Sequence, residues 1–343
     1  MKLALGPVLY YWDRDTLLGF YERMADAPVD IIYLGETVCS RRHLLRLQDY
    51  LDMAERLAAA GKEVVISTQT LIESEYDVKT LRKIADNGNF RVEANDMGAV
   101  RLLANKVPFV AGSTLNIYNP QTLDLIAGLG ASRWVIPVEM SREALVSILR
   151  ERQSNGHGEQ SPLDNEARHA RFPLLNPLPQ AGEEANESLR EFHVKQETEV
   201  FAYGRLPLAF SARCFTARHH NLQKDDCQFK CLDYADGLTL KTREGQPFLN
   251  LNGIQTQSAL VYNLIGELDT LQDAGVDVVR ISPQAQHSGE IVRLFRECME
   301  QRLTPAQALA QIEGLMPAAS CNGYWHGKPG LDFIHSNTLT TTE

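Results

Sequence analysis

Long apolar runs are missing from these 343 residues. No window approaches the roughly 18 consecutive apolar residues that a membrane-spanning helix needs, so a soluble chain is expected. The N-terminal stretch is not expected to be a secretory leader. The opening MKLALGPVLYYWDRD has one lysine and a short apolar stretch, but Asp13 and Asp15 follow with no small-residue cleavage site before them. It reads as a first strand, and a cytoplasmic location is expected. Positive charge is short too: 34 Lys and Arg against 44 Asp and Glu leave a formal net charge of −10. That balance argues against a broad nucleic-acid footprint or attraction to an anionic membrane. Finally, the chain has no HExxH run and no Ser-His-Asp arrangement of the kind hydrolases use.

Cysteine is scarce, which makes its distribution informative. Of six cysteines, Cys214, Cys227 and Cys231 fall within eighteen residues, while Cys39, Cys298 and Cys321 are scattered. Disulfides, a tetrahedral zinc and an iron–sulfur centre all collect thiols in this way. Disulfide frameworks suit small secreted chains that cannot build a core, and a chain of this length with 44% hydrophobic residues can bury a large one. Zinc fits the Cys227-x3-Cys231 spacing, although structural zinc usually takes two close pairs. Ordinary buried thiols are the bland alternative. They are disfavoured here because Arg213, Arg218, His219, His220, Lys224, Asp225 and Asp226 make the segment polar.

Short β-branched runs alternate with helical patterns through most of the chain, the mark of repeated βα units. Strands are expected at about 2–9, 30–36, 63–68, 91–95, 108–113, 133–139, 199–210 and 276–282. Helices are expected at 41–60, 256–274, 288–300 and 304–314, and a hairpin over 238–251 turning at Glu244-Gly245. Residues 154 to about 190, rich in Pro, Gly, Asn, Ser and Glu, read as a mobile surface insertion. Eight βα units predict an α/β fold, a TIM-type (β/α)8 barrel occupying 1–333 as one domain, with a C-terminal extension and a tail at 334–343.

The run Glu199-x-Phe201-x-x-Gly204-x-Leu206, followed by Ser211-x-x-Cys214, resembles the signature of the U32 peptidase-like family, whose members carry a four-cysteine iron–sulfur site. Where that signature has a cysteine seven residues before Cys214 this chain has Pro207, and where it has a glycine it has Ala212. The UbiV branch shares the lost cysteine and uses one early in the chain, the place held here by Cys39. The resemblance therefore implies a 4Fe-4S cluster on Cys39, Cys214, Cys227 and Cys231. It also implies a role as a subunit of an oxygen-independent hydroxylase in ubiquinone biosynthesis. Such a subunit would form a heterodimer with a UbiU-type partner and act on a ubiquinone precursor, with prephenate as an oxygen donor. A U32-type peptidase and a zinc-stapled scaffold are the alternatives.

In a barrel of this type the chemistry sits where the strands end. Cys39 and Cys214 both follow expected strand ends, so they are expected on one face, and Cys227 and Cys231, if helical, share a helix face. The same face carries Glu36, Gln69, Asn95, Asp96, Ser113, Asn116, Glu139, Arg213, Asn252, Arg280 and Ser282. Of these, Arg213, Arg280, Asn95 and Asn116 are taken as substrate-binding candidates, the arginines because a guanidinium pairs well with a carboxylate. Catalytic residues are unassigned. His219-His220 reads as solvated loop, and Cys298 and Cys321 as bland.

Overall fold

The computed structural model describes residues 1–157 and 196–335. The chain opens with β1 (Lys2–Leu5), β2 (Ile31–Leu34), β3 (Glu63–Ser67), β4 (Arg91–Ala94), β5 (Phe109–Ala111), β6 (Ala131–Val135) and β7 (Glu197–Gly204). It then leaves this series for β8 (Pro207–Phe210), β9 (Leu238–Lys241), β10 (Pro247–Asn252), β11 (Gln255–Ser258) and β12 (Val261–Asn263), and returns as β13 (Val278–Ile281). Strands β1 to β7 pair in parallel, each with the next, and β13 pairs in parallel with both β7 and β1. The eight strands thus close into a barrel, as the βα rhythm predicts.

Strand alternation sorts the side chains. One face points to the helices, where the helix Leu47–Ala59, for example, buries Tyr50, Met53, Ala54 and Leu57. The other fills the barrel with a small apolar set that includes Ala4, Ile31, Val65, Val110, Val135 and Val278. Threaded through that set is a file of charges. Arg133 meets Glu197 at 2.6 Å and Glu63 at 2.9 Å, and its Nη1 donates to the Tyr33 hydroxyl. Tyr33 in turn donates to Glu199, which pairs with Arg280, and Arg280 lies 2.8 Å from Glu93. Buried charges need partners of opposite sign, and here each has one.

Three expectations need correction. The expected strand 199–210 is two strands, because Gly204 at φ 124° turns the chain out of the barrel before β8 begins. The expected helix over 256–274 is β11, β12 and a short helix, Leu268–Asp273, because Gly253 at φ 63° folds the chain back so that β11 lies antiparallel on β10. The helix expected from 41 begins only at Leu47. The hairpin over 238–251 is present as β9 and β10, and with β8 and β11 it makes a four-stranded accessory sheet. The insertion expected at 154–190 lies outside the described residues apart from 154–157, which end the helix Arg142–His157, and so does the tail from 336.

Candidate functional site at the barrel mouth

At the strands' C-terminal end, the loop after β2 carries Cys39. Glu36 shapes that loop by accepting from the backbone N–H groups of Val38 and Cys39. Three residues beyond Cys39, Arg42 turns inward and is buried. Its Nη1 donates to the Leu9 carbonyl and its Nη2 to Asn252 Oδ1, both at 2.7 Å, and Glu36 lies 3.6 Å away. A single side chain therefore joins the loops after β1 and β2 to the accessory sheet.

Cys214 reaches the same place from the other half of the chain. Ser211 N–H donates to the Ile254 carbonyl and Phe215 N–H to the Gly253 carbonyl, which staples the Cys214 loop to the β10–β11 turn. Cys39 and Cys214 then pack on one small cluster of Leu9, Val38 and Ile254. Cys231 neighbours Arg42 as well. Burial raises its thiol, and Arg42 pulls the other way through charge and a hydrogen bond. Burial likewise pushes the Cys39 thiol up to about 11, with Arg42 opposing and Cys214 adding to the rise. Cys39 and Cys231 thus share one buried cation, and Cys214 neighbours both thiols.

The fourth stands differently. Cys227 closes the 3-10 turn Lys224–Asp226 and Cys231 lies in a second, Lys230–Asp233, with Gln228 and Phe229 between them at φ 49° and 51°. The two cysteines therefore do not share a helix face, because two left-handed residues break the helix. Phe229 holds this loop against the rim, at 5.0 Å from the His43 ring and 6.0 Å from Tyr11. Arg41 adds an ion pair to Asp225 at 3.0 Å. All four cysteines are half-buried free thiols. Among the described residues no three His, Cys, Asp or Glu side chains stand ready to hold a metal ion. Cys298 and Cys321 are buried elsewhere, their thiols raised by burial to about 11 and about 12.

Beside the thiols, a cavity of about 50 Å³ occupies the barrel mouth. The loops after the strands line it with Gly6, Thr37, Thr70, Asn95, Ser113 and Ser282, and Arg280 rises into it from within the barrel. Pro207, Phe210 and Gln255 of the accessory sheet complete the wall. Leu9 and Phe210 belong both to this wall and to the cluster on which Cys39 and Cys214 pack. Of the four substrate candidates, Arg280 and Asn95 line the cavity. Asn95 is held by Nδ2 bonds to the Thr68 carbonyl and Glu93. Asn116 is exposed at φ 55°, ending a 3-10 turn, and Arg213 is exposed beyond the wall. His220 bonds the Tyr234 hydroxyl at 2.9 Å, and His219 is exposed. Arg42, Thr37 and Gln255 escaped the sequence reading. Arg42 is hidden in what looks like the first turn of a helix, although its position three residues after a candidate ligand was a usable signal.

The profile of peptidase family U32 matches residues 14–159 and 184–332. Among solved structures, dihydropteroate synthase from Thermus thermophilus aligns with a TM-score of 0.38 at 11% identity, covering 88% of this chain and 93% of that one. An HpcH/HpaI aldolase from Desulfitobacterium hafniense aligns with a TM-score of 0.33 at 11% identity, covering 92% and 94%.

Proposed function

The chain belongs to peptidase family U32, and we propose that it is the iron–sulfur subunit of an oxygen-independent hydroxylase in ubiquinone biosynthesis. In this reading it works with a UbiU-type partner on the ring of a ubiquinone precursor, with prephenate as the oxygen donor. The observation that carries it is the gathering of Cys39, Cys214 and Cys231 from opposite halves of the chain, Cys39 and Cys231 beside the buried Arg42 and Cys214 next to both thiols. Cys39, Cys214, Cys227 and Cys231 would hold a 4Fe-4S cluster. The donor set suits it: four half-buried free thiols, and a buried guanidinium beside two of them to offset the negative charge of four thiolates and their cluster. Binding would have to draw the four sulfurs closer together. When bound, such a centre supplies one-electron transfer or a Lewis-acidic iron. The chain's own contribution is to fix the rim through Arg42, Glu36 and Asn252 and to place the adjoining cavity against the thiols. A reducing cytoplasm, where thiols stay free, is the compartment that goes with it.

Purification without oxygen tests the reading. Iron and acid-labile sulfide at about four each per chain are expected. Both should be lost in Cys39→Ala and kept in Cys298→Ala and Cys321→Ala. One zinc without sulfide would point to a metal-stapled scaffold instead. Co-purification with the partner, and ring hydroxylation by the pair under anoxia, test the remainder.

A further inference from the structure

Among the described residues, four side chains lining the mouth cavity are buried and carry a polar atom without a hydrogen-bond partner: Glu93 Oε1, which is still ion-paired to Arg280 Nη1 at 2.8 Å, and Arg280 Nη2, Gln255 Nε2 and Thr37 Oγ1, which have neither. Buried polar groups are nearly always paired, and an unpaired donor is costly to keep. Three around one cavity call for a common explanation.

Each of the three is fixed in place. Arg280 spends Nε on Glu199 and Nη1 on Glu93, and its guanidinium lies 3.9 Å from the centre of the Tyr33 ring, so only Nη2 is left. Gln255 is oriented by a relay. Arg42 can only donate, so it sets Asn252 with Oδ1 toward itself, and Asn252 Nδ2 then donates to Gln255 Oε1 at 3.1 Å. The free atom of Gln255 is therefore the N–H2 end. Thr37 accepts Thr70 N–H on its backbone carbonyl at 3.0 Å, which leaves the hydroxyl free. Two of the free atoms can only donate and the third is able to, so the matching ligand is rich in acceptors and carries no proton of its own there.

We propose that the barrel-mouth cavity binds a small molecule through its carboxylate, received by Arg280 Nη2, Gln255 Nε2 and Thr37 Oγ1. A carboxylate offers about four lone-pair sites and no donor, which one amide or water cannot match. A cavity of about 50 Å³ admits such a group, as it has room for roughly three to four waters. Glu93 and Glu199 already offset the charge of Arg280, so recognition depends on directed hydrogen bonds more than on net charge. The proposal goes beyond the cluster reading and stands without it.

Titration calorimetry of the whole metal-free protein with pyruvate and with pyruvamide, its uncharged isostere, is the test. Pyruvate should bind at least about tenfold more tightly, the effect of hydrogen bonds to a charged acceptor. Thr37→Val and Gln255→Leu should each weaken pyruvate about tenfold, and Thr37→Val, which removes an unpaired buried hydroxyl, should leave the melting temperature of the free protein unchanged or higher. Pyruvate affinity is read on metal-free protein and iron and sulfide content on anoxically purified protein, so failure of the cluster reading and failure of this one give different results. Equal binding of the two probes would overturn the proposal. So would unweakened binding in Thr37→Val, the variant nearest in shape, or a fall in melting temperature without ligand, which would mean that ordered water had been satisfying these atoms.

Discussion

Arg42 Nη2 and Asn252 Oδ1 are joined at 2.7 Å across 210 positions of chain. That bond ties the loop bearing Cys39 to the accessory sheet. Arg42→Met leaves the largely buried Glu36 carboxylate without its cation and should cost about 3 kcal/mol in chemical denaturation. Arg42→Lys keeps the charge without the planar fork that spans Leu9 and Asn252, so its loss should be smaller. In protein loaded with iron and sulfide, Arg42→Met should also move the midpoint potential to a more negative value, because a nearby cation favours the reduced, more negative centre. An unmoved potential in an EPR-monitored titration would separate Arg42 from the thiols.

Gly204 is the second test. It adopts φ 124°, and a Cβ there would lie 2.6 Å from the Ser282 side chain. Gly204→Ala combines a backbone conformation open essentially to glycine alone with a collision against β13's exit, so a loss of at least about 3 kcal/mol is expected in the urea midpoint.

Arg280 bridges Glu199 and Glu93 within the barrel. Arg280→Met leaves two buried carboxylates facing each other and should cost more than about 3–5 kcal/mol. Adding Glu93→Gln should recover part of that loss. A double-mutant cycle by thermal denaturation checks the sign, since independent sites would simply add.

Acid stability should depend on Glu197. Burial alone would raise its carboxyl, but Lys2 and Arg133 outweigh burial and hold it below the ordinary carboxylate range. A folded pKa below the unfolded one means that the unfolded state takes up the proton first as pH falls. The stabilisation is therefore complete above the unfolded carboxylate pKa and is lost as pH falls through the folded one. Glu197→Gln should flatten the fall of melting temperature between about pH 5 and pH 3; a slope as steep as the parent's would contradict this.

The barrel is legible in the sequence because parallel strands are buried on both faces and so read as short apolar runs. Each of the eight expected runs overlaps an observed strand. What is illegible depends on partners distant in sequence. QTQSALVYN has no local reason to be extended. It becomes β11 and β12 because β10 and β8 flank the first and β7 the second. Glu199 opens the family-like run, yet its carboxylate is spent inside the barrel between Tyr33 and Arg280, which local spacing cannot reveal. The meeting of Cys39 and Cys214 was legible from strand ends, whereas the relay from Arg42 through Asn252 to Gln255 needed three segments brought together.

The detour through the accessory sheet also sets the order in which this protein is completed on the ribosome. β1 and β7 each lack a barrel neighbour until β13 arrives, so both carry an unpaired parallel edge while more than seventy further residues are made. Such edges invite pairing with other chains. A chain cut short before Val278 would therefore leave β1 and β7 each without the neighbour that closes the barrel.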